Sequence, residues 1–304
     1  MSVLAMASEV ILVVSILGLG GIWLLAVKSQ SPSRKPIMRQ PMNRHEAVTF
    51  EGTVQLEGWL IWPQLRSEEP YQAIVVSHGW GSNRSRVLRY ADRLSDEGYA
   101  VLVYDVSSHG ESEGVKAPSA LLFRDDLKAA VSYLRSRTEI DSSKIGVLGH
   151  SLGGLGALLA LDEGLEVKAI VTDSMPANPF SMVSAELKRR KLPVFPLAWL
   201  IPRIWLLRAR IPAVDFHALD LAATLERNQN RGEAKIPVLM SHSRGDDLIP
   251  VSDLTDTLER LSYRQSHVIV DTTGHSSSEQ DERFWDAVLN FYHEHVPAPL
   301  NAQQ

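Results

Sequence analysis

The chain has 304 residues, 44% of them hydrophobic and 22% charged, with a formal net charge of -5. This is an ordinary globular composition, long enough to bury a large core and expected to form one large domain. Both signs of charge are mixed along the chain with no basic stripe, so nucleic acid is not an expected partner. The absence of cysteine excludes disulfides, thiolate zinc sites and a cysteine nucleophile, although a chain without thiols can work on either side of a membrane.

The N-terminus differs from everything after it. Val10 to Val27 is an uncharged, mostly apolar run of about 18 residues, which as a helix would be about 27 Å long and could cross a bilayer core. Lys28, Arg34, Lys35, Arg39 and Arg44 follow it, and only Glu9 and the amino terminus precede it as charges. A cleavable signal carries its positive charge on the other side of a shorter apolar segment. Residues 1–28 are therefore read as an uncleaved transmembrane anchor, apolar on every face, with residues 29–45 as a proline-spaced linker. The positive-inside rule then gives a single-pass protein of the cell membrane whose following domain is cytoplasmic.

From residue 46 to about residue 300 strand and helix patterns alternate. Val48–Phe50 and Val54–Trp62 read as a hairpin around Glu51-Gly52. Ala73–Ser77 reads as a buried strand, followed by a helix ending near Gly98, then the strand Ala100–Asp105 and a helix over Leu121–Arg137. Lys144–Leu148 is a strand leading to a helix at Leu155–Leu161, and Lys168–Asp173, Ile236–His242 and His267–Asp271 complete the set. Continuous apolar strands alternating with helices imply an α/β fold, a mostly parallel sheet covered by helices on both faces. Ligands of such sheets lie beyond the carboxyl ends of the strands.

The chemistry-bearing residues fall at those ends. Gly149-His150-Ser151-Leu152-Gly153 joins a strand to a helix, a turn that can hold a serine hydroxyl clear of the backbone in a strained conformation while the flanking glycines avoid crowding. Ser151 is thus a candidate nucleophile, and the N–H of Leu152, at the helix start, is a donor for an oxyanion. A second donor is the Trp80 N–H in the glycine-rich turn Ser77-His78-Gly79-Trp80-Gly81. A serine nucleophile needs a base and an orienting acid. His275 stands just past the last strand as the base. Asp246 or Asp247, past the preceding strand, is the acid. His217, His293 and His295 are expected to be solvated. The last two, two residues apart on a helix, face differently and do not suit a metal. No metal and no cofactor are expected.

These four segments, including Gly245-Asp246-Asp247-Leu248-Ile249-Pro250 and Gly274-His275, resemble the landmarks of the α/β-hydrolase superfamily, in its order. Ile140 to Ser151 is similar to the branch of serine aminopeptidase-like hydrolases and monoacylglycerol lipase-like esterases. The resemblance implies Ser151 as nucleophile, His275 as base, Trp80 and Leu152 as backbone oxyanion donors, and Asp246 as acid, because that family's acid stands four residues before the proline matching Pro250. Where relatives carry an arginine after the strand-end aspartate, this chain has Asp105-Val106-Ser107. Residues 176–235, too long for an ordinary loop, are expected to be a helical lid whose segment Pro193–Leu207 either meets acyl chains and an anionic membrane surface or simply packs on the core. The expected function is cleavage of carboxylic esters, small-molecule or lipid-derived, through an acyl-enzyme. The alternatives are an aminopeptidase or dipeptidyl-peptidase-like amide hydrolase, and a non-catalytic binding protein on the same fold.

Overall fold

The central strands bury both of their faces because both are apolar. A computed structural model describes residues 3–64, 70–177, 179–212 and 220–297, with the side chains of the first helix described from Leu17 onward. In strand β3 (Tyr71–Ser77) every residue is buried, and the same holds for β4 (Ala100–Tyr104). Alternate side chains go to opposite sides, as a period of two requires. Ala73, Val75, Leu102 and Tyr104 enter one core, while Ile74, Val76, Val101 and Val103 enter the other.

The remaining strands are β1 (His45–Glu51), β2 (Gln55–Ile61), β5 (Ile140–His150), β6 (Ala169–Asp173), β7 (Val238–Gly245) and β8 (His267–Thr273). They form one sheet of eight in the order β1-β2-β4-β3-β5-β6-β7-β8. The β1–β2 hairpin forms as expected and pairs antiparallel with β4, and every other neighbour is parallel. Helices α2 (Leu88–Asp96), α3 (Leu121–Arg135) and α4 (Leu152–Asp162) follow β3, β4 and β5 in the chain. Phe123, Leu127, Leu155 and Leu158 of α3 and α4 cover one face of the sheet. Tyr90 and Leu94 of α2, with Phe284 and Tyr292 of the C-terminal helix (Glu282–His295), cover the other.

Between β6 and β7 the chain leaves the sheet at the strand end beside Ser151 and forms α5 (Pro179–Arg189), α6 (Leu197–Ala209) and α7 (Leu221–Gln229). The expected insertion is therefore helical where it is described. Residues 213–219, with His217, lie outside the described residues. Two further α-helices, α8 (Ser252–Glu259) and α9 (Glu282–His295), follow among the described residues.

The N-terminal segment departs from its expected layout. Helix α1 spans Val3–Gln30, two residues beyond the expected anchor. Among the described residues no helix is long and apolar enough to cross a membrane, and the expected span up to Ile16 lies outside the described side chains. The segment after α1 is not a free spacer either. Asn83 Nδ2 donates to the carbonyls of Lys35 at 2.8 Å and Pro36 at 3.0 Å. The Met38 N–H donates to Ser85 Oγ at 3.1 Å, and Arg39 pairs with Asp92 at 2.5 Å. Proline spacing suggested a solvated linker; the polar side chains of α2 and the turn before it supply partners that strap the segment to the domain.

Candidate active site

Ser151 sits where β5 turns into α4, with φ 55° and ψ -123°. A non-glycine residue held at positive φ is strained, and such strain persists where the surroundings over-determine it. Here the Ser151 N–H is tied to the Asp173 carbonyl at 2.8 Å while the Ser151 carbonyl accepts from Gly154 and Leu155. Strand and helix cross closely. A Cβ on Gly149 would stand 2.4 Å from the Gly153 backbone, and one on Gly153 would stand 2.4 Å from the Ser77 carbonyl oxygen.

The structure brings the three expected side chains into one hydrogen-bonded row. His275 Nε2 is 2.9 Å from Ser151 Oγ, and His275 Nδ1 is 2.8 Å from Asp246 Oδ2. Of the two candidate acids Asp246 is the one in contact; Asp247 is exposed. Asp246 Oδ1 accepts the N–H groups of Leu248 at 2.9 Å and Ile249 at 2.8 Å. Burial works to raise the Asp246 carboxyl. The bond to His275, its charge and these two N–H groups outweigh that and hold the pKa below the usual carboxylate value. With a carboxylate against Nδ1, the Nδ1–H tautomer is favoured, leaving Nε2 as an acceptor for the serine proton.

The glycine-rich turn after β3 faces the same hydroxyl. A Cβ on Gly79 would stand 2.8 Å from Ser151 Cβ and 3.2 Å from its Oγ, so the Gly79–Trp80 peptide runs beside the nucleophile. Leu152 is the first residue of α4, where the N–H has no partner within the helix. His78 shapes the turn: its Nε2 accepts from the Val106 N–H at 3.0 Å while Nδ1 lies 2.8 Å from the Gly79 carbonyl. Burial pulls its pKa down to about 4, which keeps it neutral. His109, likewise buried and brought down to about 3, packs edge-on against the Trp80 indole with ring centres 5.1 Å apart.

Sequence reasoning missed a second polar row behind His275. His150 Nδ1 is 3.3 Å from Asp173 Oδ2, which also accepts the Tyr90 hydroxyl at 2.6 Å. His150 Nε2 meets Ser276 Oγ at 3.2 Å, and its ring lies 4.9 Å from that of His275. Burial takes His150 down to about 4, so it is neutral. For Asp173 burial acts upward but is overcome by the His150 and Tyr90 bonds, which bring it to about 2. The available signal was Asp173 itself, a carboxylate ending an apolar strand. Of the residues expected to be solvated, His293 and His295 are partly buried on α9, with His295 packed edge-on against Phe291. No group of three or more metal-ligating side chains occurs among the described residues. Ser107, standing in place of the expected arginine, uses its N–H on Asp126 at 2.7 Å, while the Asp105 carboxylate pairs with Arg84.

A sheet of this order, with a strained serine after its fifth strand and a histidine past its last, has the architecture of an α/β hydrolase. Residues 68–204, just under half of the chain, match the family model described as serine aminopeptidase S33, and the fold is that of the α/β hydrolases. It is 29% identical over 210 residues to the uncharacterized protein YqkD of Bacillus subtilis, covering 67% of this chain and 65% of that one, just under two thirds. With the quorum-quenching protein AidA of Acinetobacter baumannii it shares 35% identity over 140 residues, 44% of this chain and 45% of the relative. Among solved structures, an esterase of Pyrococcus furiosus superimposes with a TM-score of 0.67 at 24% identity, covering 88% of this chain and 98% of that one. An acylaminoacyl peptidase of Pyrococcus horikoshii gives 0.60 at 16%, covering 84% and 42%.

Proposed function

We propose that the chain is a serine hydrolase that cleaves carboxylic esters through an acyl-enzyme. The observation that carries this reading is the unbroken row from Ser151 Oγ through His275 to the Asp246 carboxylate, at 2.9 and 2.8 Å. In the reaction Ser151 Oγ attacks the ester carbonyl carbon as His275 Nε2 takes its proton. The carbonyl oxygen gains the charge and is met by the N–H groups of Trp80 and Leu152. His275 then returns the proton to the departing alkoxide, and Ser151 keeps the acyl group. Water activated by the same histidine releases the acid and restores the hydroxyl. Asp246 stays ionised and steadies the imidazolium.

In this reading the insertion is a lid over the strand ends and α1 is a single-pass anchor that keeps the domain on the cytoplasmic face. The solved esterase with the same fold supports an ester substrate. The match to the serine aminopeptidase family model favours a second reading, hydrolysis of aminoacyl amides by the same row of residues. Rates on a series of acyl esters and aminoacyl amides, for the wild type and Ser151→Ala, separate the two. The proposal expects turnover of esters only, abolished by Ser151→Ala. Turnover of aminoacyl amides above esters would establish the second reading instead.

A further inference from the structure

One buried side chain ties the N-terminal helix to the insertion. Gln30, at the last turn of α1, is 1% exposed. Its Nε2 donates to the Trp205 carbonyl of α6 at 3.0 Å and to the Pro118 carbonyl of the domain at 3.1 Å. Its Oε1 accepts from Arg208 Nη1. Trp205 returns a bond, its indole Nε1 donating to the Ala26 carbonyl of α1 at 2.9 Å. Around this clasp Ala26, Val183, Leu187, Ala198 and Ile201 form a small apolar core of their own, apart from the two that flank the sheet. A buried amide is costly unless its donors and its acceptor are satisfied. Here both ends are, and the partners come from two separate parts of the chain, α6 and the segment at Pro118. This fixes how α6 lies against α1.

The outer side of the same unit is apolar and basic. Phe195 is 84% exposed, Leu207 69% and Trp199 50%, and on α1 Leu24 is 69% exposed and Trp23 43%. Between residues 187 and 214 the sequence carries seven lysines and arginines and no acidic residue. Arg189 and Arg190 pair with Glu186 and Arg208 with Gln30, which leaves a net basic stretch. Exposed large apolar side chains set among basic ones complement an anionic lipid surface, with the apolar groups entering the acyl boundary and the cations meeting headgroups. The depth agrees. Ala26 and Gln30 lie within one helical turn of Val27, the end of the long apolar run, so α6 is clasped where that run leaves the hydrocarbon, the level at which tryptophans gather.

We propose that Gln30 clasps α6 to the membrane-proximal end of α1, so that the exposed face of the insertion rests in the headgroup layer of an anionic bilayer and the active site draws its ester from the lipid. This rests on the readings of α1 as an anchor and of the chain as an ester hydrolase, and each can fail separately below.

The chain has no cysteine, so Phe195→Cys accepts a single environment-sensitive fluorophore. The full chain is reconstituted into vesicles of phosphatidylcholine, with or without phosphatidylglycerol. The expected result is a blue shift of the label when phosphatidylglycerol is present, lost on adding Gln30→Ala although the chain still floats with the vesicles. Trp205→Phe, which removes the indole donor but keeps an aromatic ring, should weaken the shift and guards against misfolding of Gln30→Ala. Both variants should lose at least about tenfold in hydrolysis of a vesicle-borne long-chain ester, a loss of at least about 1.4 kcal/mol in transition-state binding, while hydrolysis of a soluble short-chain ester is unchanged. No shift in the parent, or an equal shift without phosphatidylglycerol, overturns the docking. An unchanged shift in both variants overturns the clasp. Failure to float with vesicles overturns the anchor, and a normal shift with no ester hydrolysis overturns the ester reading alone.

Discussion

Replacing Asp246 by asparagine should disable the base without removing it. Asp246 Oδ1 is held by the N–H groups of Leu248 and Ile249, while Oδ2 faces His275 Nδ1 at 2.8 Å. In Asp246→Asn those two N–H groups require an acceptor, so the amide oxygen takes the Oδ1 place and the NH2 turns toward Nδ1. Two donors cannot face each other. His275 must then present a lone pair at Nδ1 and carry its hydrogen on Nε2, against Ser151 Oγ, where a proton acceptor is needed. Reversal of this tautomer costs about 10⁴-fold in kcat, equivalent to about 5.4 kcal/mol of transition-state stabilisation. The assay is steady-state hydrolysis of a soluble short-chain ester at neutral pH, with the thermal midpoint of each variant measured alongside. Exposed Asp247 provides the control, since Asp247→Asn should stay within about twofold, as surface substitutions do. An Asp246→Asn enzyme within about tenfold of the wild type, or a loss that falls on Asp247→Asn instead, would refute the assignment.

Three other outcomes follow from the same geometry. Gly79→Ala places a methyl 2.8 Å from Ser151 Cβ, displaces the Trp80 peptide and should lower kcat by about 10²–10³-fold, the effect of losing one oxyanion donor; wild-type kcat would show that this turn has no such role. Buried His78, His109 and His150 have folded pKa values near 4, 3 and 4, below the ordinary 6.5. The unfolded chain therefore binds their protons first, and stability should fall as pH drops below about 6.5, each contributing up to about 1.4 kcal/mol per pH unit until its folded value is reached. Urea midpoints that do not change between pH 7 and pH 5 would contradict this. Replacing Pro193–Leu207 with a short glycine-serine loop should abolish long-chain but not short-chain ester turnover, and equal loss on both would count against an acyl-binding lid.

The parts of the molecule set by local pattern were readable in the sequence. Continuous apolar runs fixed the parallel strands, because a strand buried on both faces has no polar alternation to show, and the glycines around Ser151 marked the turn where strand and helix touch. The pairing of His275 with Ser151 followed from strand-end positions alone. The choice between Asp246 and Asp247 depended on a family spacing; in the structure Asp246 is the carboxylate that meets His275 and that the Leu248 and Ile249 N–H groups hold in place. What stayed hidden joins residues far apart in the chain. His150 lies next to the nucleophile in sequence, yet it turns away to Asp173 and Tyr90. Gln30 reads as the start of a linker, yet it is buried against Pro118 and Trp205. Neither pattern has a period or a local spacing, since both depend on which distant carbonyl or carboxylate the fold brings near.

The central claim, that Ser151 is an activated nucleophile, is tested most directly by reacting the protein with a fluorophosphonate and locating the adduct by mass spectrometry. The account predicts one phosphonylated residue, Ser151, with no labelling of Ser151→Ala and labelling strongly slowed in Asp246→Asn. An unlabelled wild-type protein, or equal labelling of Ser151→Ala, would contradict it.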